Sequence, residues 1–210
     1  MTRVKICGIT SAEDAAVAVE AGADALGFVL VPGTPRFIQP EAAARILEGV
    51  PPFVVGVGVF VDRPLPEMRA IAAAVRLQAV QLHGDEPEAV SRGLPLPVIK
   101  AVRVRDAASL HLLFTYPARA FLLEAFVAGR AGGTGQTFPW ELAAQVSDRA
   151  PIILSGGLHP GNVAQAIAVV RPYGVDVSSG VERAPGQKDR AKVKEFISHV
   201  RQTDRDESLR

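Results

Sequence analysis

The residues best suited to proton chemistry are a single thiol, a lysine two residues before it and a carboxylate far along the chain. Cys7 ends the first apolar run, Val4-Lys5-Ile6-Cys7, which breaks at Gly8 before a helix start near Ser11. Taken alone, such a cysteine is more often a buried small hydrophobe than a catalyst. Lys5 shares its strand face and would pull the thiol toward thiolate. Glu124 ends a second apolar run, Phe121-Leu122-Leu123. A carboxylate in that position needs a partner or a role. Partial burial would favour its protonated form and let it act as an acid near pH 7. An acid and a base on opposite sides of one mouth suit proton transfer at carbon.

Other residues could bind anions. Ser155-Gly156-Gly157 and Ser178-Ser179-Gly180 follow the last two strand-like runs. Glycine lets a backbone approach phosphate oxygens without a Cβ in the way. One such turn would be read as a tight turn only; two at the ends of strands 7 and 8 favour a phosphate site. No P-loop lysine motif is present, which argues against ATP. Arg36, in Pro32-Gly33-Thr34-Pro35-Arg36, could hold a carboxylate bidentately, although most loop arginines are simply solvated. Gly132-Gly133-Thr134-Gly135-Gln136 reads either as a lid or as a flexible connection.

These groups need a scaffold that gathers strand ends. Short β-branched runs alternate eight times with alanine-rich helical stretches. The strand candidates are 3–7, 24–30, 53–60, 77–82, 97–101, 119–124, 151–155 and 174–178. The helix candidates are 11–21, 40–49, 64–75, 86–92, 106–114, 138–148, 160–171 and 188–201. Ser11 and Asp14 suit a capped helix start, Gly22 a helix end, and Pro40, Pro87 and Pro160 first turns. Phe53-Val54-Val55 predicts a strand buried on both faces, as in a parallel sheet. Eight β/α units in 210 residues predict an α/β fold, a single-domain (β/α)₈ TIM barrel, over an open doubly wound sheet. The barrel is expected over residues 1–201, with a polar, frayed tail over 202–210. Polarity alternates along the strands as a barrel requires. Cys7, Gln81, His83, Lys100, Glu124 and Asp176 all fall at strand carboxyl ends, where barrel sites form.

Bulk composition narrows the classes. Hydrophobic residues make up 48% and charged residues 21%, as in ordinary globular proteins. A formal net charge of +1 gives no electrostatic case for nucleic acid or a membrane surface. One cysteine excludes an intrachain disulfide, and no Cys/His spacing suggests zinc. With no signal-peptide pattern and no apolar run long enough to span a membrane, a cytoplasmic location is expected.

The motifs Lys5-Ile6-Cys7-Gly8-Ile9-Thr10, Gln81-Leu82-His83-Gly84-Asp85-Glu86, Gly132-Gly133-Thr134-Gly135, Leu154-Ser155-Gly156-Gly157-Leu158 and Asp176-Val177-Ser178-Ser179-Gly180-Val181-Glu182 occur in this order. Together they resemble the phosphoribosylanthranilate isomerase family of tryptophan biosynthesis, from about residue 3 to 200. The resemblance implies an Amadori rearrangement of N-(5-phosphoribosyl)anthranilate to 1-(2-carboxyphenylamino)-1-deoxyribulose 5-phosphate, without cofactor or metal. In the family an acid protonates the furanose ring oxygen, and the ring opens to a Schiff base. A base then removes the C2 proton, and the enolamine tautomerises to the aminoketone. The resemblance makes Cys7 the base. It puts Glu124 where the family has an aspartate acid, a departure that lengthens the reach by about 1 Å. It also implies Arg36 for the anthranilate carboxylate, Gly157, Ser179 and Gly180 for the phosphate, Asp176 near the sugar and His83 among the substrate-binding residues. The partner is then a small phosphosugar-anthranilate substrate, and the chain a monomer or homodimer. Other phosphosugar barrels fit less well. An indole-glycerol-phosphate synthase would need lysines at strand ends beyond Lys5 and Lys100. A metal-dependent epimerase would need histidine ligands, and only His83 lies at a strand end. A non-catalytic phosphate-ligand sensor would keep the glycine turns without needing Cys7 opposite Glu124.

Overall fold

The computed structural model describes residues 1–126 and 137–208. The Gly132–Gln136 segment, read above as a lid or connection, lies outside the described residues. Among the described residues, β1 (Arg3–Cys7), β2 (Ala25–Val29), β3 (Val55–Phe60), β4 (Ala79–Leu82), β5 (Val98–Val104), β6 (Ala120–Ala125), β7 (Ile152–Leu154) and β8 (Gly174–Val177) form a closed barrel in sequence order. Every neighbouring pair is parallel, including β8 against β1. This is the expected (β/α)₈ barrel.

The connecting helices are α1 (Ala12–Ala21), α2 (Pro40–Glu48), α3 (Leu65–Val75), α4 (Glu88–Gly93), α5 (Leu112–Thr115), α6 (Trp140–Ala144), α7 (Val163–Val170) and α8 (Arg190–Ser208). The Ser11 hydroxyl accepts from the Asp14 N–H at 3.1 Å, and Gly22 ends α1 at φ 97°, in the left-handed conformation that favours glycine. Pro40 occupies the first turn of α2 as expected. Pro160 does not open α7, which starts three residues later. There the Asn162 side chain accepts from the His159 N–H at 2.8 Å and closes a turn first.

Two expectations change. Phe53 is not a buried strand residue: β3 starts at Val55, and Phe53 is 95% exposed on the turn in which the Val54 N–H reaches the Pro51 carbonyl. The tail does not fray from Gln202. α8 continues to Ser208, and Asp204 accepts from both the N–H and the hydroxyl of Thr2. That contact ties the two ends of the chain together.

Strand alternation sorts the side chains. Val4, Ile6, Phe121 and Leu123 join the large apolar layer between sheet and helices. Ala101, Ala120, Leu122 and Ile153 form a small apolar plug inside the barrel. Lys5, Cys7, Gln81, Glu124 and Asp176 have the plug's parity but lie nearer the carboxyl ends of their strands, or beside them in register. A short antiparallel hairpin, β9 (Glu182–Ala184) and β10 (Gln187–Lys188), follows β8.

A buried ion pair holds the turn after β4. Lys100 donates to the Gly84 carbonyl at 2.6 Å and to Glu86 Oε2 at 2.7 Å. Glu86 Oε1 accepts from the N–H groups of Asp62 and Gly84. Removing one partner leaves the other buried without its charge, at a cost of about 3 kcal/mol or more. Lys100→Met is therefore expected to lower unfolding free energy by about that amount, read from the urea midpoint. An unchanged midpoint would show that the backbone donors satisfy Glu86 without the ammonium.

Candidate active site

The carboxyl ends of the strands open into a cavity of about 360 Å³. Cys7, Arg36, His83, Glu124, Gly157, Asp176 and Ser179, all predicted site residues, line it. Gly180 does not. A Cβ there would lie 1.9 Å from the Leu158 carbonyl oxygen, so glycine at this position lets the turns after β7 and β8 pack together.

β1 and β8 pair with Lys5 opposite Asp176, and Lys5 Nζ donates to Asp176 Oδ1 at 2.6 Å. The Ser155 hydroxyl donates to Asp176 Oδ2 at 3.0 Å. Burial by itself would lower the Lys5 pKa, but the Asp176 carboxylate outweighs it and holds the ammonium charged. Cys7 is also buried, and burial pushes its thiol up. Lys5 pulls the other way and loses, because its charge is committed to Asp176, which itself disfavours a thiolate nearby. The expected drift toward thiolate is thus reversed in the free protein. Gly27, opposite Cys7 in β2, makes room for both groups: a Cβ there would lie 2.7 Å from Cys7 Sγ and 3.0 Å from Lys5 Nζ.

His83 lines the cavity with both ring nitrogens in hydrogen bonds. Its Nε2 lies 2.8 Å from Glu124 Oε1 and its Nδ1 lies 2.7 Å from Gln81 Nε2. The Gln81 amide and the Glu124 carboxylate thus hold the imidazole ring at both nitrogens. Glu124 Oε1 is thereby occupied, while Oε2 makes no hydrogen bond with the described residues and Glu124 faces the cavity.

Arg36 is half-buried rather than solvated. Its Nε and Nη2 donate to Glu182 Oε1 and Oε2 at 2.9 and 2.7 Å. Gly8, at φ 75°, gives its stem passage, since a Cβ there would come within 2.6 Å of Arg36 Cδ. Glu182 went unremarked in the sequence as a charge partner; its only signal was its place at the end of the Ser178-Ser179-Gly180 motif. The Ser155 turn uses left-handed Gly156 and Gly157, at φ 80° and 66°, and Asn162 Nδ2 donates to the Gly157 carbonyl at 2.9 Å. The Ser178 hydroxyl beside it is buried without a partner among the described residues. Among the described residues, no cluster of His, Cys, Asp and Glu side chains is arranged to hold a metal ion. No helix of the described residues is long and apolar enough to cross a membrane.

A parallel eight-stranded barrel with an acid/base-capable mouth beside paired glycine turns defines a (β/α)₈-barrel isomerase. The family described as N-(5'-phosphoribosyl)anthranilate (PRA) isomerase matches residues 4–199. The chain belongs to this family, the isomerases of this step in tryptophan biosynthesis. It is 53% identical to the N-(5'-phosphoribosyl)anthranilate isomerase of Geobacter metallireducens over 96% of this chain and 100% of that one. It is 51% identical to that of Pelobacter propionicus over the full length of both. Among solved structures, it resembles phosphoribosyl anthranilate isomerase from Thermotoga maritima with a TM-score of 0.90 and 47% identity, over 96% of this chain and 100% of that one. A phosphoribosyl anthranilate isomerase in complex with reduced 1-(o-carboxyphenylamino)-1-deoxyribulose 5-phosphate matches at a TM-score of 0.87 and 46% identity, over 96% and 100%. A structure of monomers generated from the dimeric Thermotoga maritima enzyme matches at 0.87 and 44%, with the same coverage.

The raised Cys7 pKa makes the thiol the resting form at neutral pH, and the reactive thiolate grows as pH rises. Alkylation by iodoacetamide is therefore expected to be slow at pH 7 and to quicken about tenfold per pH unit toward pH 9. A rate already at its plateau at pH 7 would contradict a burial-dominated thiol.

Proposed function

We propose that the chain carries out the Amadori rearrangement of N-(5-phosphoribosyl)anthranilate, with Glu124 as general acid and Cys7 as general base. The observation that carries this reading is that a thiol and a carboxylate with one oxygen unpartnered among the described residues face a single cavity beside the left-handed turn Gly156-Gly157. Glu124 Oε2 gives its proton to the furanose ring oxygen. The C1–O bond breaks, and the anilino nitrogen lone pair forms the Schiff base. Cys7, as thiolate, then takes the proton from C2, and those electrons neutralise the iminium to give the enolamine, which ketonises. His83 lies against Glu124 Oε1, which leaves Oε2 to carry the transferred proton. The phosphate lies against Gly157 and Ser179, Asp176 near the sugar and Arg36 at the aryl carboxylate. The reaction proceeds without metal or cofactor, in the cytoplasm.

Purified protein is expected to consume phosphoribosylanthranilate, followed by loss of its fluorescence, with undiminished rate in the presence of a chelator. Cys7→Ala should lower kcat at least ~100-fold with little change in KM, as for a lost general base. Glu124→Gln should fall as far, because an amide N–H is far too weak an acid to deliver a proton. Near wild-type turnover by either variant would remove that residue from its role.

We also propose that the chain forms a homodimer through the amino-terminal end of the barrel. Phe53, at 95% exposure, and half-exposed Tyr173 border a 420 Å³ cavity at that end, and Met1 is exposed close by. This apolar face is on the opposite end from the site, and a similar structure comes from a dimeric enzyme. Phe53→Asp is expected to sediment as a monomer where the unaltered chain sediments as a dimer. A monomeric unaltered chain would rule the interface out.

A further inference from the structure

The β9–β10 hairpin has no role in the chemistry above, yet it brings two buried charges to the edge of the cavity. Glu182 is 8% exposed and Lys188 4%. Besides accepting both Arg36 bonds, Glu182 accepts from Lys188 Nζ at 2.9 Å and from the Gly186 N–H at 3.3 Å. Lys188 Nζ also reaches the Ser178 carbonyl at 3.3 Å. The hairpin turn is pinned in place. The Gly186 carbonyl accepts from the Thr10 hydroxyl at 2.5 Å, and a Cβ on Gly186 would lie 3.0 Å from the Pro35 carbonyl oxygen. The hairpin is thus fastened to both loops that flank Arg36.

A guanidinium presents two edges with paired N–H donors. The Nε/Nη2 edge of Arg36 is taken by Glu182. The Nη1/Nη2 edge holds no acceptor among the described residues, and Arg36 lines the cavity. A ligand carboxylate must therefore meet that second edge. Charge matters as much as geometry. Arg36 and Glu182 alone would form a neutral pair with little net pull on an anion. Lys188, wholly buried, adds a second cation at Glu182; burial pushes its pKa down, and the Glu182 carboxylate works against that shift. Burial raises the Glu182 carboxyl, but Arg36 and Lys188 outweigh it and hold the group ionised.

We infer that Glu182 and Lys188 are positioning residues for the aryl carboxylate of the substrate. Glu182 selects which edge of Arg36 faces the cavity, and Lys188 offsets the Glu182 charge so that this edge still attracts an anion. The inference rests on reading Arg36 as the aryl-carboxylate residue.

Steady-state kinetics with phosphoribosylanthranilate, and inhibition by inorganic phosphate, test it. Glu182→Gln and Lys188→Met are each expected to raise KM about tenfold while kcat stays within about twofold. Lys188→Arg should recover most of the lost affinity. The inhibition constant of inorganic phosphate, which probes the glycine turns, should change much less than KM in each of them, although Lys188 also touches the Ser178 carbonyl of one turn. An unchanged KM in Lys188→Met would overturn the inference, as would loss of phosphate inhibition in parallel with substrate affinity. The Lys188 pair carries the test if Glu182→Gln does not fold. Absence of turnover by the unaltered protein would instead defeat the functional reading, so the two failures are distinguishable.

Discussion

The ion pair between Lys5 and Asp176 sits where the barrel closes on itself. β1 and β8 are the first and last strands, and their register sets these two residues side by side. Both are almost wholly removed from water, which costs several kcal/mol per ion before any attraction is counted. The short contact and the Ser155 hydroxyl offset that cost. Slipping either strand by one residue would turn that strand's charge into the apolar layer under the helices and leave its partner unpaired, so the pair and the closing register require each other. It also governs Cys7. An ammonium already matched by a carboxylate exerts little net pull on a third group, and burial decides the state of the thiol.

The same pattern recurs around the mouth. Gln81 orients His83, and His83 occupies one oxygen of Glu124. Lys100 and Glu86 hold the turn that carries His83. Glu182 takes one edge of Arg36. In each cluster the interior bonds use up some polar atoms and leave a particular one toward the cavity, such as Glu124 Oε2 or Arg36 Nη1. Such preorganisation is what allows small side chains to act on a substrate without first being ordered by it. Glycine makes the packing possible at Gly8 and Gly27, where any side chain would collide with a functional group.

Most of the scaffold was legible in order and type. Eight alternating units, helix-start prolines and the parity of Leu122 and Glu124 are local signals, and a parallel sheet buried on both faces has a recognisable apolar pattern. Where the reading failed, the reason was positional. Phe53 has the composition of a strand residue but lies one turn before the strand, at the end of the barrel where apolar side chains have no helix above them. The polar end of α8 looked like a tail because its partner, Thr2, is separated by almost the whole chain.

By itself the sequence determined the barrel, the motif set and which side chains reach the strand carboxyl ends, since all of these follow from periodicity and from residues near each other along the chain. It could not determine partners. Whether Lys5 would activate Cys7 depended on Asp176, 171 residues away, and the fate of Arg36 depended on Glu182, 146 residues away. The free group in each cluster is the one left after such pairings are made. Only closure of the barrel brings those residues into contact, and with them the charge and orientation on which the chemistry depends.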